Sequence, residues 1–154
     1  MLEELRDQVV AYLAAHRTCV LSVASPEGGR AALVRYRNHG LEVDCLLPRW
    51  SDLVYYLEQD PRVALVVPDV EEPLRWLRCW GRARILPRPD WAEWALARGV
   101  GRPLQDLYVV VRVVLWRIDL LDEGRGWGVQ GTWERGSTDE PPGEEGALGW
   151  HISI

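Results

Sequence analysis

RWLRCWGRARIL, residues 75–86, reads as a single long strand with a glycine, Gly81, inside it. A glycine in a strand interior marks a bulge or a sharp bend, the device that turns a barrel corner. Upstream, PDVEEP (68–73) is a polar loop and RVALVV (62–67) a near-continuous apolar strand. Asp60-Pro61 stops a short helix over 51–59, SDLVYYLEQ, with Ser51 as its N-cap and Asp52 near the positive end of its dipole. Further back, TCVLSVAS (18–25), RAALVRYR (30–37) and LEVDCLL (41–47) are strands, separated by the PEGG and Asn-His-Gly turns. Together they form an antiparallel meander. A helix over 2–16 precedes them, with Leu5, Val9, Tyr12 and Leu13 on one face.

Downstream, DWAEWALAR (90–98) has a helical pattern. Asp90 and Glu93 form a capping pair there, and Gly99 stands at the C-cap position. LYVVVRVVLWRIDLL (107–121) is the strongest strand signal, because β-branched density outweighs the competing helix. Beyond Asp122 the chain turns glycine-rich, and residues 137–154 form an acidic, proline-containing tail. The expectation is a mainly β domain over residues 1–136, with short helices. About six antiparallel strands curl into a small split β-barrel of Greek-key type.

Composition narrows the chemistry. A chain of 154 residues buries enough surface to fold as one domain without staples. The net charge of −5 argues against general nucleic-acid binding, including by an oligonucleotide-stacking small barrel. No apolar run is long enough for a membrane span, and the N-terminus lacks the pattern of a secretion signal. Cys19, Cys45 and Cys79 are scattered and odd in number, so they read as buried packing groups of a reduced, cytoplasmic protein. All 18 basic residues are arginine, so a cationic side chain that holds a phosphate must do so through a guanidinium fork. Phenylalanine is absent, whereas tryptophan occurs nine times.

There is no GxSxG, GxGxxG, Walker or HExxH signature. His16, His39 and His151 share no spacing, so neither a metal site nor a nucleophile–base pair is expected. His39 reads as a solvated turn residue. The arginines say more. Arg30 and Arg35 lie five apart, on opposite faces of a regular strand, whereas Arg35 and Arg37 share a face. Two guanidinium groups on one face can grip a phosphate, although a solvated outer face would carry the same residues.

Several phrases, in order, resemble the pyridoxamine 5′-phosphate oxidase-like FMN-binding split barrels. RAALVR (30–35) has an arginine at the strand start and a basic residue five positions on. DPRVALVVP (60–68) is similar to the family's NPRVSL phrase. Gly81, Ala83 and Leu86 fit its V-x-GxA-x-L strand, and the run 109–128 looks like its last barrel strand. The resemblance implies a homodimer whose two subunits share each site, and FMN as cofactor. A deazaflavin, haem or no cofactor at all are the alternatives. It implies that Arg30, Arg35 and Ser51 hold the phosphate, and that backbone around Val34 and Cys45 approaches the ring. Trp76 stands at the family's glutamine, and Cys45 is nearest to its threonine. The family's Arg-Lys after the serine is Asp52-Leu53 here, with Arg49 or Arg37 as possible substitutes. The function implied is a flavin-dependent oxidoreductase acting on a small molecule. A cofactor-free sensor or binding module on the same dimer is the alternative.

Overall fold

Residues 2–94 and 103–136 are described by the computed structural model of the protein. Helix α1 (Leu2–Ala15) leads into β1 (Thr18–Ser25), β2 (Gly28–His39) and β3 (Glu42–Pro48). Helix α2 (Asp52–Gln59) then carries the chain back to β4 (Arg62–Asp69) and β5 (Arg75–Ile85). A single 3-10 turn (Trp91–Trp94), the one-turn helix α3 (Leu104–Leu107), β6 (Tyr108–Asp122) and β7 (Val129–Glu134) complete the order.

Every strand pairing is antiparallel, in the order β3-β2-β1-β4-β5-β6-β7, and β6 also pairs with β3. That last pairing closes six strands into a barrel and leaves β7 as an extra strand on its side. Because β4 returns beside β1 after the β1-β2-β3 meander, the topology is Greek-key. The expected six-stranded barrel is therefore present, with one strand more.

Gly81 turns the corner as its sequence position suggests. The β5–β6 register shifts between Trp80 and Gly81. A side chain at Gly81 would lie 2.5 Å from Val113 Cγ1 and 2.7 Å from the Val114 carbonyl oxygen. Bulge and close approach thus coincide, and only glycine fits both.

Alternate residues of each strand fill the interior, where Leu21, Leu47, Leu65, Leu77, Val113 and Ile118 are fully buried. The three cysteines lie in the same core as free thiols. Helix α1 is tied to the barrel by two buried phenols. The Tyr12 hydroxyl donates to the Val67 carbonyl at 2.8 Å, and the Tyr36 hydroxyl donates to the Leu13 carbonyl at 2.7 Å. Helix α2 seats Leu53, Val54 and Leu57 in the core.

Two sequence expectations are corrected. The helix expected over 90–98 is a 3-10 turn at 91–94; its remainder and the cap at Gly99 lie outside the described residues. Asp90 does cap that turn, since its Oδ1 accepts from the Ala92 amide at 3.1 Å. The glycine-rich stretch after Asp122 contains β7. Gly131 leaves room there for Leu5 of α1, whose Cδ1 would lie 3.1 Å from a β-carbon at that position. The tail over 137–154 lies outside the described residues.

Candidate functional site

Strand β2 separates the expected site residues. Its register with β1 is regular from Gly28 to Arg35, so no bulge brings Arg30 and Arg35 to one face. Arg30 points toward α2. Its Nη1 donates to Asp52 Oδ2 at 3.2 Å and its Nη2 to Glu27 Oε2 at 2.8 Å, and its guanidinium lies 5.4 Å from the Tyr56 ring centre. The acid in place of the family's cation thus already pairs with the arginine expected to hold phosphate. Leu53, at the following position, is buried in the core, so a lysine there would have to leave water.

Ser51 acts as the α2 N-cap. Its hydroxyl oxygen accepts from the Leu53 amide at 3.2 Å. Arg49 turns away from Ser51 and donates from Nε to the Gln105 carbonyl at 2.8 Å. Val34 and Cys45 point into the barrel. Cys45 shares a hydrogen bond with Cys19, which, with burial, holds its thiol well above the ordinary range. Neither side chain can touch a molecule outside the barrel.

Arg35 and Arg37 share the outer face of β2. With Arg17, Thr18, Tyr36, Glu93 and Trp94 they line a cleft of about 240 Å³. Three guanidinium groups thus surround one hollow, against a single carboxylate. Arg37 is also anchored by donating to the Glu93 carbonyl. Arg17 belongs to this group although sequence reasoning did not single it out. Its one signal was its place just before β1, opposite the end of RAALVR.

The backbone beside this cleft is open. Strand β3 pairs with β2 only from Arg35 to His39, so, among the described residues, positions 28–34 of β2 have a strand partner on the β1 side alone. An edge of this kind offers free amides and carbonyls to a ligand. Trp76 lies on the outer face too, half-buried opposite Pro68 on β4. It is three strands from Arg35, roughly 14 Å at ordinary strand spacing.

Beside the rows that hold Arg35 and Trp76 the outer face is mostly apolar. Leu33, Val20 and Val66 form one cross-strand row, and Ala31, Ser22 and Ala64 the next. Leu33 is 71% exposed. The second row ends at Trp80, which is covered by Arg78 and Arg117 with their guanidinium carbons 5.3 and 5.2 Å from its ring centre. Asp119 beneath them is fully buried and accepts from Arg78, Arg117 and Thr132.

A second polar cluster adjoins the cleft and shares Glu93 with it. His39 is the last residue of β2 rather than a free turn residue. Its Nε2 lies 3.5 Å from Asp44 Oδ2 and 3.3 Å from Glu93 Oε2. No linear spacing connects these three residues; cross-strand register and the 91–94 turn bring them together.

No sequence-family model and no curated protein sequence matches the chain. Solved structures do match its fold. One is a Clostridium acetobutylicum protein described as related to general stress protein 26 of B. subtilis and as a member of the pyridoxinephosphate oxidase family. It is 13% identical with a TM-score of 0.66, over 86% of this chain and 95% of that one. Another, an FAD-binding protein from Mesorhizobium loti, is 16% identical with a TM-score of 0.54, over 72% and 89%. A third, an F420 reductase, is 18% identical with a TM-score of 0.60, over 70% and 93%. At these identities the likeness is one of fold. The chain has the split-barrel architecture of the pyridoxamine 5′-phosphate oxidase-like proteins, as its sequence phrases imply.

Proposed function

We propose that this split barrel binds a flavin-type cofactor, FMN first and a deazaflavin second, and uses it as an oxidoreductase on a small molecule. The observation that carries the reading is the cleft with Arg17, Arg35 and Arg37 on one side and the half-paired edge of β2 beside it. Paired guanidinium groups suit a phosphate, and edge amides suit the hydrogen-bonding rim of a flavin ring. Trp76, on the same outer face, would contribute an aromatic wall. The ring would supply the redox chemistry, and the chain the grip, orientation and electrostatics.

The site is completed by a second copy. The Leu33–Val20–Val66 and Ala31–Ser22–Ala64 rows offer a flat apolar face next to the cleft, so a homodimer formed there would wall the cofactor from water. The reading places the protein in the cytoplasm, which suits its three free buried thiols. No helix among the described residues is long and apolar enough to cross a membrane.

The test is a visible spectrum of the purified protein, followed by titration with FMN and with a deazaflavin. A yellow protein that releases flavin on denaturation, or one that takes up either compound, supports the proposal. Arg35→Ala should then weaken binding at least tenfold. A colourless protein that takes up neither compound overturns it.

The Arg30–Asp52 pair favours a second reading, a cofactor-free binding or sensor module. Asp52→Asn separates the two. If the pair blocks a cofactor, the variant gains FMN affinity. If FMN binds at Arg17, Arg35 and Arg37, its affinity is unchanged.

A further inference from the structure

We propose that His39, Asp44 and Glu93 form a binding site for one zinc-type divalent cation, with an open coordination position facing the neighbouring cleft. The three ligands come from β2, β3 and the 91–94 turn, and their donor atoms lie within 4.8 Å of one another.

Donor spacing selects the ion. His39 Nε2 lies 3.5 and 3.3 Å from the two carboxylate oxygens. Both distances exceed the roughly 2.7–2.9 Å of a charge-assisted hydrogen bond. One ring N–H also cannot point at two acceptors at once. Ligands about 2.0–2.1 Å from a tetrahedral zinc ion are separated by about 3.4 Å. At the right angles of an octahedral magnesium ion the separation falls to about 3.0 Å, and that ion prefers oxygen ligands alone. The two edges from His39 fit the tetrahedral ion, and one imidazole with two carboxylates suits its borderline character.

The surroundings fix the ligands. Asp44 is 3% exposed. Arg112 holds it from β6, donating from Nε to Oδ1 at 2.8 Å and from Nη2 to Oδ2 at 3.0 Å. A carboxylate oxygen has two lone-pair positions, so Oδ2 can keep Arg112 on one and offer the other to a cation. Arg112 then orients the ligand, as outer-shell partners do. Glu93 is positioned by the Arg37 bond to its carbonyl and by Trp94, which packs on Leu46 and Val110. Beside the three ligands lies a cleft of about 360 Å³, lined also by Leu86, Arg88, Asp90 and Arg112. A water or a small anion fits there as the fourth ligand.

The proposal does not rest on the flavin reading, although Glu93 also lines the cofactor cleft, and its test does not use activity. Protein stripped with a chelator is titrated with Zn²⁺ by calorimetry and with Co²⁺ by visible spectroscopy. One ion per chain, the intense band of four-coordinate cobalt and a zinc-dependent rise in Tm are expected. His39→Ala and Glu93→Gln, both at partly exposed positions, should each weaken binding about 100-fold while circular dichroism stays unchanged. His16→Ala combined with His151→Ala should bind as the unaltered protein does. Failure of the unaltered protein to bind zinc overturns the proposal. So does equal uptake by His39→Ala, which would leave the cluster without a metal-binding role for the imidazole.

Discussion

At the scale of single residues, Gly81 is where the sequence speaks most directly. A β-carbon there would meet Val113 Cγ1 at 2.5 Å and the Val114 carbonyl oxygen at 2.7 Å, and the second obstacle is backbone that cannot rotate away. Gly81→Ala should therefore destabilise the fold by about 2–4 kcal/mol, read as a lower urea midpoint at unchanged m-value. A cost below half a kilocalorie would mean that the corner is soft. Asp60 carries a pH prediction. It accepts three hydrogen bonds from Arg62, and the Arg62 guanidinium holds its carboxyl below the ordinary 3.8. The unfolded chain therefore binds the proton more readily than the folded one. The stabilisation is complete above the unfolded value and is lost as pH falls through the folded value. Asp60→Asn should cost about 0.5–1 kcal/mol near neutrality and flatten the acid limb of stability between about pH 5 and pH 2. Urea titrations across that range check both effects. The candidate site was less legible than the corner. RAALVR does lie within β2, and its spacing correctly put Arg30 and Arg35 on opposite faces. Nothing local, however, says that Asp52 pairs with Arg30 or that Leu53 faces the core. Both facts depend on how α2 lands on the barrel. His39, Asp44 and Glu93 were invisible for the same reason, because strand register and a turn 49 residues beyond Asp44 bring them together.

At the scale of elements, β1 was legible to the residue and β2 to β6 to within two residues at each end. Their signals are local: apolar alternation or density, bounded by turn residues. The errors fall where local chemistry is ambiguous. Residues 129–134 form a strand because β6 extends past the barrel and offers an edge, and Leu5 packs close over Gly131. Glycine read alone suggests a loop. Helix α2 shows the opposite case, in which a local signal was read correctly but a second role was attached to it. Ser51 was expected both to cap the helix and to hold phosphate, and its hydroxyl already accepts from the Leu53 amide. Ser51→Ala should cost about 1 kcal/mol of stability, the ordinary worth of an N-cap. It should leave FMN affinity within twofold if Arg17, Arg35 and Arg37 carry the phosphate. A tenfold loss of affinity at unchanged stability would return Ser51 to the phosphate site.

At the scale of the molecule, closure explains what is left exposed. Pairing of β3 with β6 closes the barrel and leaves a strand edge at residues 28–34 of β2, and α1 and α2 pack onto the barrel through Tyr12, Tyr36, Leu53 and Leu57. Charged groups cover much of the exterior, with Arg78, Arg117 and Glu134 around Trp80 and the Arg112–Asp44 pair on β3 and β6. Among the described residues the outer rows of β1, β2 and β4 have no such charged cover, yet a monomer gains nothing by presenting Leu33 to water. Leu33 is the sharpest probe because it touches little in the single chain, so changing it tests association rather than folding. If the face joins two copies, a two-fold contact places Leu33 of both subunits near the interface, and Leu33→Glu buries two unpaired carboxylates for one substitution. Light scattering behind size-exclusion chromatography should find a dimer for the unaltered protein and a monomer for the variant, with identical far-ultraviolet circular dichroism. Because the proposed cofactor cleft borders the same face, the monomeric variant should also lose FMN affinity. A variant that stays dimeric places the interface elsewhere. A monomer with full FMN affinity keeps the cofactor site but frees it from the second subunit.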